Sequence, residues 1–97
     1  MRAIKIDPTN LTISEINVKN LDEIKKIIGS DCLAGYQIDR EIMVLSCKEK
    51  DSCMDAFGFA YDDETIHGLA VVIGYSNGKM KPLRENKASF DKIVEWR

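Results

Sequence analysis

The chain is predicted to fold as a single α+β domain over residues 1–97, with a mostly antiparallel sheet of about six strands and two short helices in a ββαββββα-like order. Three observations support this fold class. Short runs of strand character recur along the chain, one apolar stripe with helical spacing lies in residues 21–28, and Asn77-Gly78 marks a tight hairpin turn. The length of 97 residues, 44% of them apolar and 31% charged, is typical of one small globular domain.

The first two strands are predicted to form a hairpin. RAIKI alternates polar and apolar residues with a period of two, DPTN has the composition of a turn, and LTISEINV follows as the second strand. The apolar positions of this second strand change parity between Ile13 and Ile16. We therefore expect a β-bulge near Ser14-Glu15, which would return these residues to one face of the sheet.

The first helix is predicted from its ends as well as from its apolar stripe. Asn20 is a favourable N-cap, Asp22 and Glu23 place negative charge in the first turn, and Gly29 suits the position that ends a helix. The apolar stripe consists of Leu21, Ile24, Ile27 and Ile28. A short helix with one such stripe is expected to cover a face of the sheet.

The middle of the chain is predicted to contain a second hairpin and a further strand. CLAGYQI and EIMVLSC are both rich in apolar, β-prone residues and are joined by Asp39-Arg40. The polar stretch KEKDSCMD is expected to be a loop, FGFAY a strand and DDET an acidic loop.

The segment TIHGLAVVIGYSNGKMKP contains the longest apolar run of the chain. Residues 66–75 are predicted to form a central strand that is buried on both faces, since they are rich in Val and Ile. Asn77-Gly78 is expected to make a type I′ turn into the strand KMK, and Pro82 limits the pairing of that strand. A C-terminal helix is then expected, with Ser89 as N-cap and with Phe90, Ile93 and Val94 as its apolar stripe.

Composition excludes several classes of protein. No apolar run approaches the roughly 20 residues of a membrane-spanning helix, and MRAIKIDPTN lacks the apolar segment of a secretory signal, so we expect a cytoplasmic protein. Cys32, Cys47 and Cys53 are odd in number and do not have the spacing of a zinc site. Free thiols, and neither a metal nor another cofactor, are therefore expected.

Charge is distributed unevenly along the chain. Residues 39–65 carry three basic and eight acidic side chains, net −5, whereas residues 66–97 carry six basic and three acidic ones, net +3. Solvated loops and helix faces would explain this distribution. An acidic surface opposite a basic one would instead favour a charged partner or self-association, and a two-fold homodimer is expected.

No catalytic residue is assigned from the sequence, although several side chains are candidates for binding a ligand or a partner. His67 is the single histidine, and a catalytic role would require a nearby carboxylate such as Asp63 or Glu64. The acidic run does not match a calcium-binding loop, and no glycine-rich nucleotide motif is present. The candidate binding residues are His67, Tyr75, Lys79, Lys81, Arg84, Asp62, Asp63 and Glu64.

The basic and the acidic candidates point to different ligands. The segment from Lys79 to Lys87, with Tyr75 and Trp96 as stacking platforms, would suit phosphates, but the overall net charge of −2 argues against nucleic acid as the main partner. The acidic segment would suit a basic protein.

The order of MRAIKIDP, LDEIKKIIG, AGYQIDREIMVL and IHGLAVVIG resembles the small phage and bacterial proteins grouped as domain of unknown function 3846. The resemblance spans most of residues 1–75, and Gly29-Ser30 stands where some members have a glycine doublet. The family has no assigned catalytic residues, so no site is transferred. The resemblance implies a phage or mobile-element setting, in which small acidic proteins often bind host machinery.

The leading hypothesis is a non-enzymatic binding protein of phage or mobile-element type that inhibits a host defence system by binding a protein or a small nucleotide. The alternatives are a small enzyme that uses His67 with a carboxylate, and a structural, self-associating protein.

Overall fold

The structure is a computed structural model that describes residues 1–48 and 54–97. Most of the predicted loop KEKDSCMD, including Cys53, lies outside the described residues. No helix in the described part combines the length and the apolar character needed to cross a bilayer. The strands and helices are β1 Arg2–Asp7, β2 Thr12–Asn17, α1 Leu21–Ile28, β3 Leu33–Asp39, β4 Ile42–Cys47, β5 Ala56–Phe59, β6 Thr65–His67, β7 Ala70–Ser76, β8 Lys79–Lys81, α2 Lys87–Ile93 and β9 Val94–Trp96.

The predicted α+β fold with an antiparallel sheet of about six strands and two helices is confirmed. The main sheet has the order β2-β1-β7-β4-β3, and β8 pairs with the end of β7. Every pair in this sheet is antiparallel. β3 and β4 form the predicted second hairpin, with a register shift between Gln37 and Asp39.

A second, smaller sheet was not predicted from the sequence. It has the order β6-β5-β9, again with antiparallel pairs. Val94 was expected to continue the last helix, but α2 ends at Ile93 and Val94 begins β9, where it pairs with Phe59. The β-branched side chain of Val94 suits a strand better than a helix end, and β5 offers it a partner.

The main sheet is covered on both faces, so the domain has two cores. The sheet–sheet core lies between the main sheet, the small sheet and α2, and the α1 core lies between the main sheet and α1. The largest buried members of the sheet–sheet core are Ile4, Ile6, Phe57, Phe59, Ile66 and Phe90. The buried members of the α1 core are Ala3, Val18, Ile24, Leu45, Val71 and Ile73.

The central strand predicted over residues 66–75 is confirmed only from Ala70 onward, as β7. Ile66 and His67 belong to β6 of the small sheet, because Gly68 (φ 81°) breaks the extended run between the two strands.

β7 contributes to both cores, as β1 and β4 also do. Ala70 and Val72 belong to the sheet–sheet core, whereas Val71 and Ile73 belong to the α1 core, and all four are at most 1% exposed. Successive side chains of a strand point to opposite faces, so a run of apolar residues is buried on both sides. The chain then turns at Asn77 (φ 53°) and Gly78 (φ 75°), as a type I′ turn requires.

Two local predictions were wrong. β1 and β2 pair in continuous register from Arg2–Asn17 to Asp7–Thr12, so no bulge occurs at Ser14-Glu15. The change of parity has another cause: Ile13 packs against the sheet–sheet core and Ile16 against the α1 core. The N-cap of α2 is Asn86, not Ser89, because the Asn86 side chain accepts the Ser89 backbone N–H at 3.1 Å.

The predicted ends of α1 are confirmed. The Asn20 side-chain oxygen accepts the backbone N–H of Glu23 at 3.0 Å, and the Glu23 carboxylate accepts the N–H of Lys19 at 2.9 Å. Gly29 has φ 80° and donates its N–H to the Lys25 carbonyl. These bonds satisfy backbone groups that the helix itself leaves unpaired.

Asn20→Ala should lower the free energy of unfolding by about 1 kcal/mol, because the Glu23 N–H loses its partner. Urea unfolding followed by circular dichroism measures the change. Asn17→Ala is the matched control, since Asn17 is exposed at the end of β2, and a change below about 0.5 kcal/mol is expected there. Equal losses in the two variants would contradict the capping role.

Candidate binding groove

A groove of about 340 Å³ lies between β3 and the segment that joins β5 to β6. Tyr36, Ile38, Phe59 and Ile66 contribute its apolar part, and Asp62 and Glu64 contribute carboxylates. Alternation along the strands explains this lining. Tyr36 and Ile38 are the β3 side chains that pack toward the sheet–sheet core, which Phe59 and Ile66 enter from the small sheet.

Tyr61 is the chain neighbour of the groove residue Asp62. Burial, Asp39 and Asp62 all raise the pKa of Tyr61, because each disfavours the phenolate. Asp39 ends β3 and Asp62 follows β5. The Tyr61 ring also stacks on Phe59, with 6.1 Å between the ring centroids.

Arg97 holds the 59–65 segment that forms one wall of the groove. Its guanidinium donates to the backbone carbonyls of Phe59 (3.2 Å), Asp62 (3.1 Å) and Glu64 (3.0 Å), and it pairs with the Glu95 carboxylate at 2.8 Å. Within the segment, the Asp62 carboxylate accepts the Glu64 N–H at 3.0 Å. The wall therefore has a defined conformation.

Gly58 makes room for the Arg97 guanidinium. A Cβ atom at Gly58 would overlap the Nη1, Cζ and Nε atoms of Arg97. Gly58 alternates with Phe57 and Phe59, which enter the core, so Arg97 lies on the outer face of the small sheet. Its positive charge, already paired with Glu95, is on the face opposite the groove.

The structure does not bring His67 together with the carboxylates that the sequence analysis considered. Glu64 and Ile66 line the groove, whereas the position of His67, opposite Ala56 on β5, puts its side chain on the outer face of the small sheet. The buried His67 Nδ1 has no hydrogen-bond partner among the described residues. Asp63 is exposed and does not line the groove.

The basic candidates lie elsewhere and do not form one surface with Tyr75. Tyr75 pairs with Met80 and both pack against the α1 core, whereas Lys79 and Lys81 alternate to the other face of β8. The Arg84 side chain is 86% exposed and lies 3.9 Å from the Glu41 carboxylate, a distance that stabilises little at the surface.

Potential metal ligands remain dispersed in the part of the chain that the structure describes. No group of three or more His, Cys, Asp or Glu residues there could hold a metal ion. Cys32 is exposed, Cys47 is partly buried, and both are free thiols.

Sequence reasoning identified Asp62 and Glu64 but missed the rest of the groove. Tyr36 and Ile38 were assigned to a strand without a role, and Arg97 was counted only as a basic residue. One signal was available for Arg97. A glycine between two phenylalanines in a strand indicates a close approach by another group, and Gly58 is such a residue.

Arg97→Ala should release the 59–65 segment and lower the free energy of unfolding by about 2 kcal/mol, since several charge-assisted hydrogen bonds are lost. Hydrogen exchange at residues 60–65 should accelerate. Arg84→Ala is the control and should change stability by less than about 0.5 kcal/mol. Unchanged exchange in Arg97→Ala would show that Arg97 does not hold the segment.

Asp62→Asn should move the pKa of Tyr61 back down toward its ordinary value, and Asp63→Asn should leave it unchanged. NMR titration of ¹³Cζ-labelled tyrosine measures both. The folded chain holds the Tyr61 proton more tightly than the unfolded chain, so this contribution to stability is present below about pH 10 and is lost as the pH rises through the folded-state pKa. If the pKa of Tyr61 were the same in Asp62→Asn as in the unaltered chain, the Asp62 carboxylate would not act on the Tyr61 hydroxyl.

No family model, no curated protein and no solved structure matches the chain. The resemblance to domain of unknown function 3846 therefore stays a prediction.

Proposed function

We propose that the chain is a non-enzymatic binding protein of phage or mobile-element type, and that it inhibits a host defence system by binding one of its protein components. The groove beside β3 carries this proposal. It combines an apolar floor of Tyr36, Ile38 and Phe59 with the carboxylates Asp62 and Glu64. Apolar surface supplies affinity, and charges at its rim select and steer a partner of opposite charge.

A basic protein segment suits this groove better than a small nucleotide, since carboxylates repel phosphates. A nucleotide would have to bind the basic residues around β8 instead. Arg84 is largely exposed there, and Tyr75 lies on the other face from Lys81. The phage setting rests on the sequence resemblance, and the choice of a protein partner rests on the charge of the groove.

Self-association remains a separate prediction. Two exposed apolar side chains that favour it lie away from the groove beside β3: Leu11 is 60% exposed and Trp96 is 38% exposed, and both line a second groove beside β2. A dimer formed there would leave the groove beside β3 open.

The experiment compares three immobilised proteins in capture from a bacterial lysate: the unaltered chain, Asp62→Asn/Glu64→Gln and Asp31→Asn/Asp63→Asn. Both double variants remove two negative charges, but Asp31 and Asp63 are exposed and do not line the groove. We expect at least one host protein whose capture falls about fivefold in the groove variant, the effect of two weak ion pairs, and not in the control.

Equal capture by all three proteins would argue against the groove as the binding surface. Turnover of a nucleotide or peptide substrate by the purified chain, lost on His67→Ala, would instead favour the enzyme alternative.

A further inference from the structure

β3 is an edge strand of the main sheet. It pairs with β4 on one side, and among the described residues no strand pairs with it on the other. The direction of its backbone groups follows from one bond: the Lys48 N–H donates to the Cys32 carbonyl at 2.9 Å. In an antiparallel pair, alternate residues direct N–H and C=O toward the partner strand, so Leu33, Gly35 and Gln37 direct theirs away from β4.

This edge lacks most of the features that protect exposed strands from pairing. The segment from Leu33 to Ile38 contains no charged residue and no proline. The other edge of the main sheet differs. β2 carries Glu15, which lies 3.4 Å from Arg2, and α2 packs beside it. The register shift after Gln37 ends the regular edge of β3, which leaves a short stretch centred on Gly35 for pairing.

A strand added to this edge would project alternate side chains toward the groove. There they would meet the aromatic and aliphatic surface of Tyr36, Ile38 and Phe59, and beyond it Asp62 and Glu64. Lys and Arg side chains match this arrangement of an apolar surface followed by carboxylates. Their apolar stems cover apolar groups while their charged ends reach the carboxylates.

A second copy of this chain matches the edge less well. Antiparallel pairing of β3 with β3 of another copy about a two-fold axis at Gly35 would put both grooves on the same face of the joined sheet. The strand that the other copy adds, Leu33–Asp39, contains no Lys or Arg, so it brings no positive charge to Asp62 and Glu64. A segment with Lys or Arg supplies the opposite charge that a second β3 lacks.

We propose that the partner segment binds by strand addition to β3, as an extended peptide with Lys or Arg at alternate positions. Its backbone pairs with Leu33, Gly35 and Gln37, and its basic side chains occupy the groove. This inference rests on the proposed function, because it takes the groove to be the binding surface, and it specifies the chemistry and the backbone geometry of the partner.

The probe is the peptide acetyl-Thr-Arg-Val-Arg-Val-Arg-Thr-amide, with fluorescence anisotropy as the measurement and a peptide of equal composition with its three arginines adjacent as the control. Two isomers carry two N-methyl groups each, either on two arginines or on both valines. In an added strand only one of these sets directs its N–H groups toward β3. One isomer should therefore bind about tenfold more weakly or worse, and the other should stay within about threefold of the unmodified peptide.

The role of the groove carboxylates is tested with variants of the protein. Asp62→Asn/Glu64→Gln should weaken binding of the probe about fivefold at low salt and less at high salt, while Asp31→Asn/Asp63→Asn should bind as the unaltered chain does. Light scattering gives the mass of the chain with and without the probe.

Four results would overturn strand addition: equal binding of the two N-methylated isomers, equal binding of the control with adjacent arginines, no binding of the probe, or a dimer of the chain that excludes the probe. In each case the proposed function still stands if the groove variant loses its captured host protein. If capture of the host protein did not depend on Asp62 and Glu64, by contrast, the proposed function itself would be wrong.

Discussion

The burial of β7 on both faces is the constraint on which the rest of the domain depends. Ala70 and Val72 require cover from one side, and Val71 and Ile73 require it from the other. A single sheet covered on one face only could not supply both. The chain meets the requirement with α1 on one face and with the small sheet and α2 on the other, and the same two layers cover the neighbouring strands β1 and β4.

The small sheet does more than cover a core. Because β5 and β6 lie over the main sheet, the segment between them passes close to β3 and closes one side of the groove. Arg97 then fixes that segment through the carbonyls of Phe59, Asp62 and Glu64. The position of the two groove carboxylates therefore depends on the small sheet that covers one face of β7.

Sequence reasoning predicted the parts of the fold whose causes are local. Asn20 and Gly29 marked the ends of α1, and Asn77-Gly78 marked a hairpin, because each acts on its immediate neighbours. One error was local, since Asn86 and not Ser89 is the N-cap of α2, but the others occurred where a distant element decides. Ile16 faces the α1 core instead of returning to the side of Ile13, and Val94 pairs with Phe59 across more than 30 residues of chain. The second sheet depends on that long-range pair, so no local pattern indicated it.

The candidate site was also predicted only where its residues are close together in the chain. Asp62 and Glu64 were identified because they form a run of charge, but their neighbours in space, Tyr36 and Ile38, come from a hairpin that precedes them by more than 20 residues. His67 is close to Glu64 in the sequence, yet Glu64 lines the groove whereas His67 lies opposite Ala56 on the outer face of the small sheet. Proximity along the chain was a poor guide to proximity in the site.

Gly58 and Arg97 also carry a consequence for how this sequence varies. A larger residue at Gly58 removes the space that the guanidinium occupies, and a shorter residue at Arg97 removes the need for that space. Selection would therefore act on the two positions as a pair. Among descendants of this chain, a side chain at position 58 should appear together with the loss of arginine at position 97, even though 39 positions separate them.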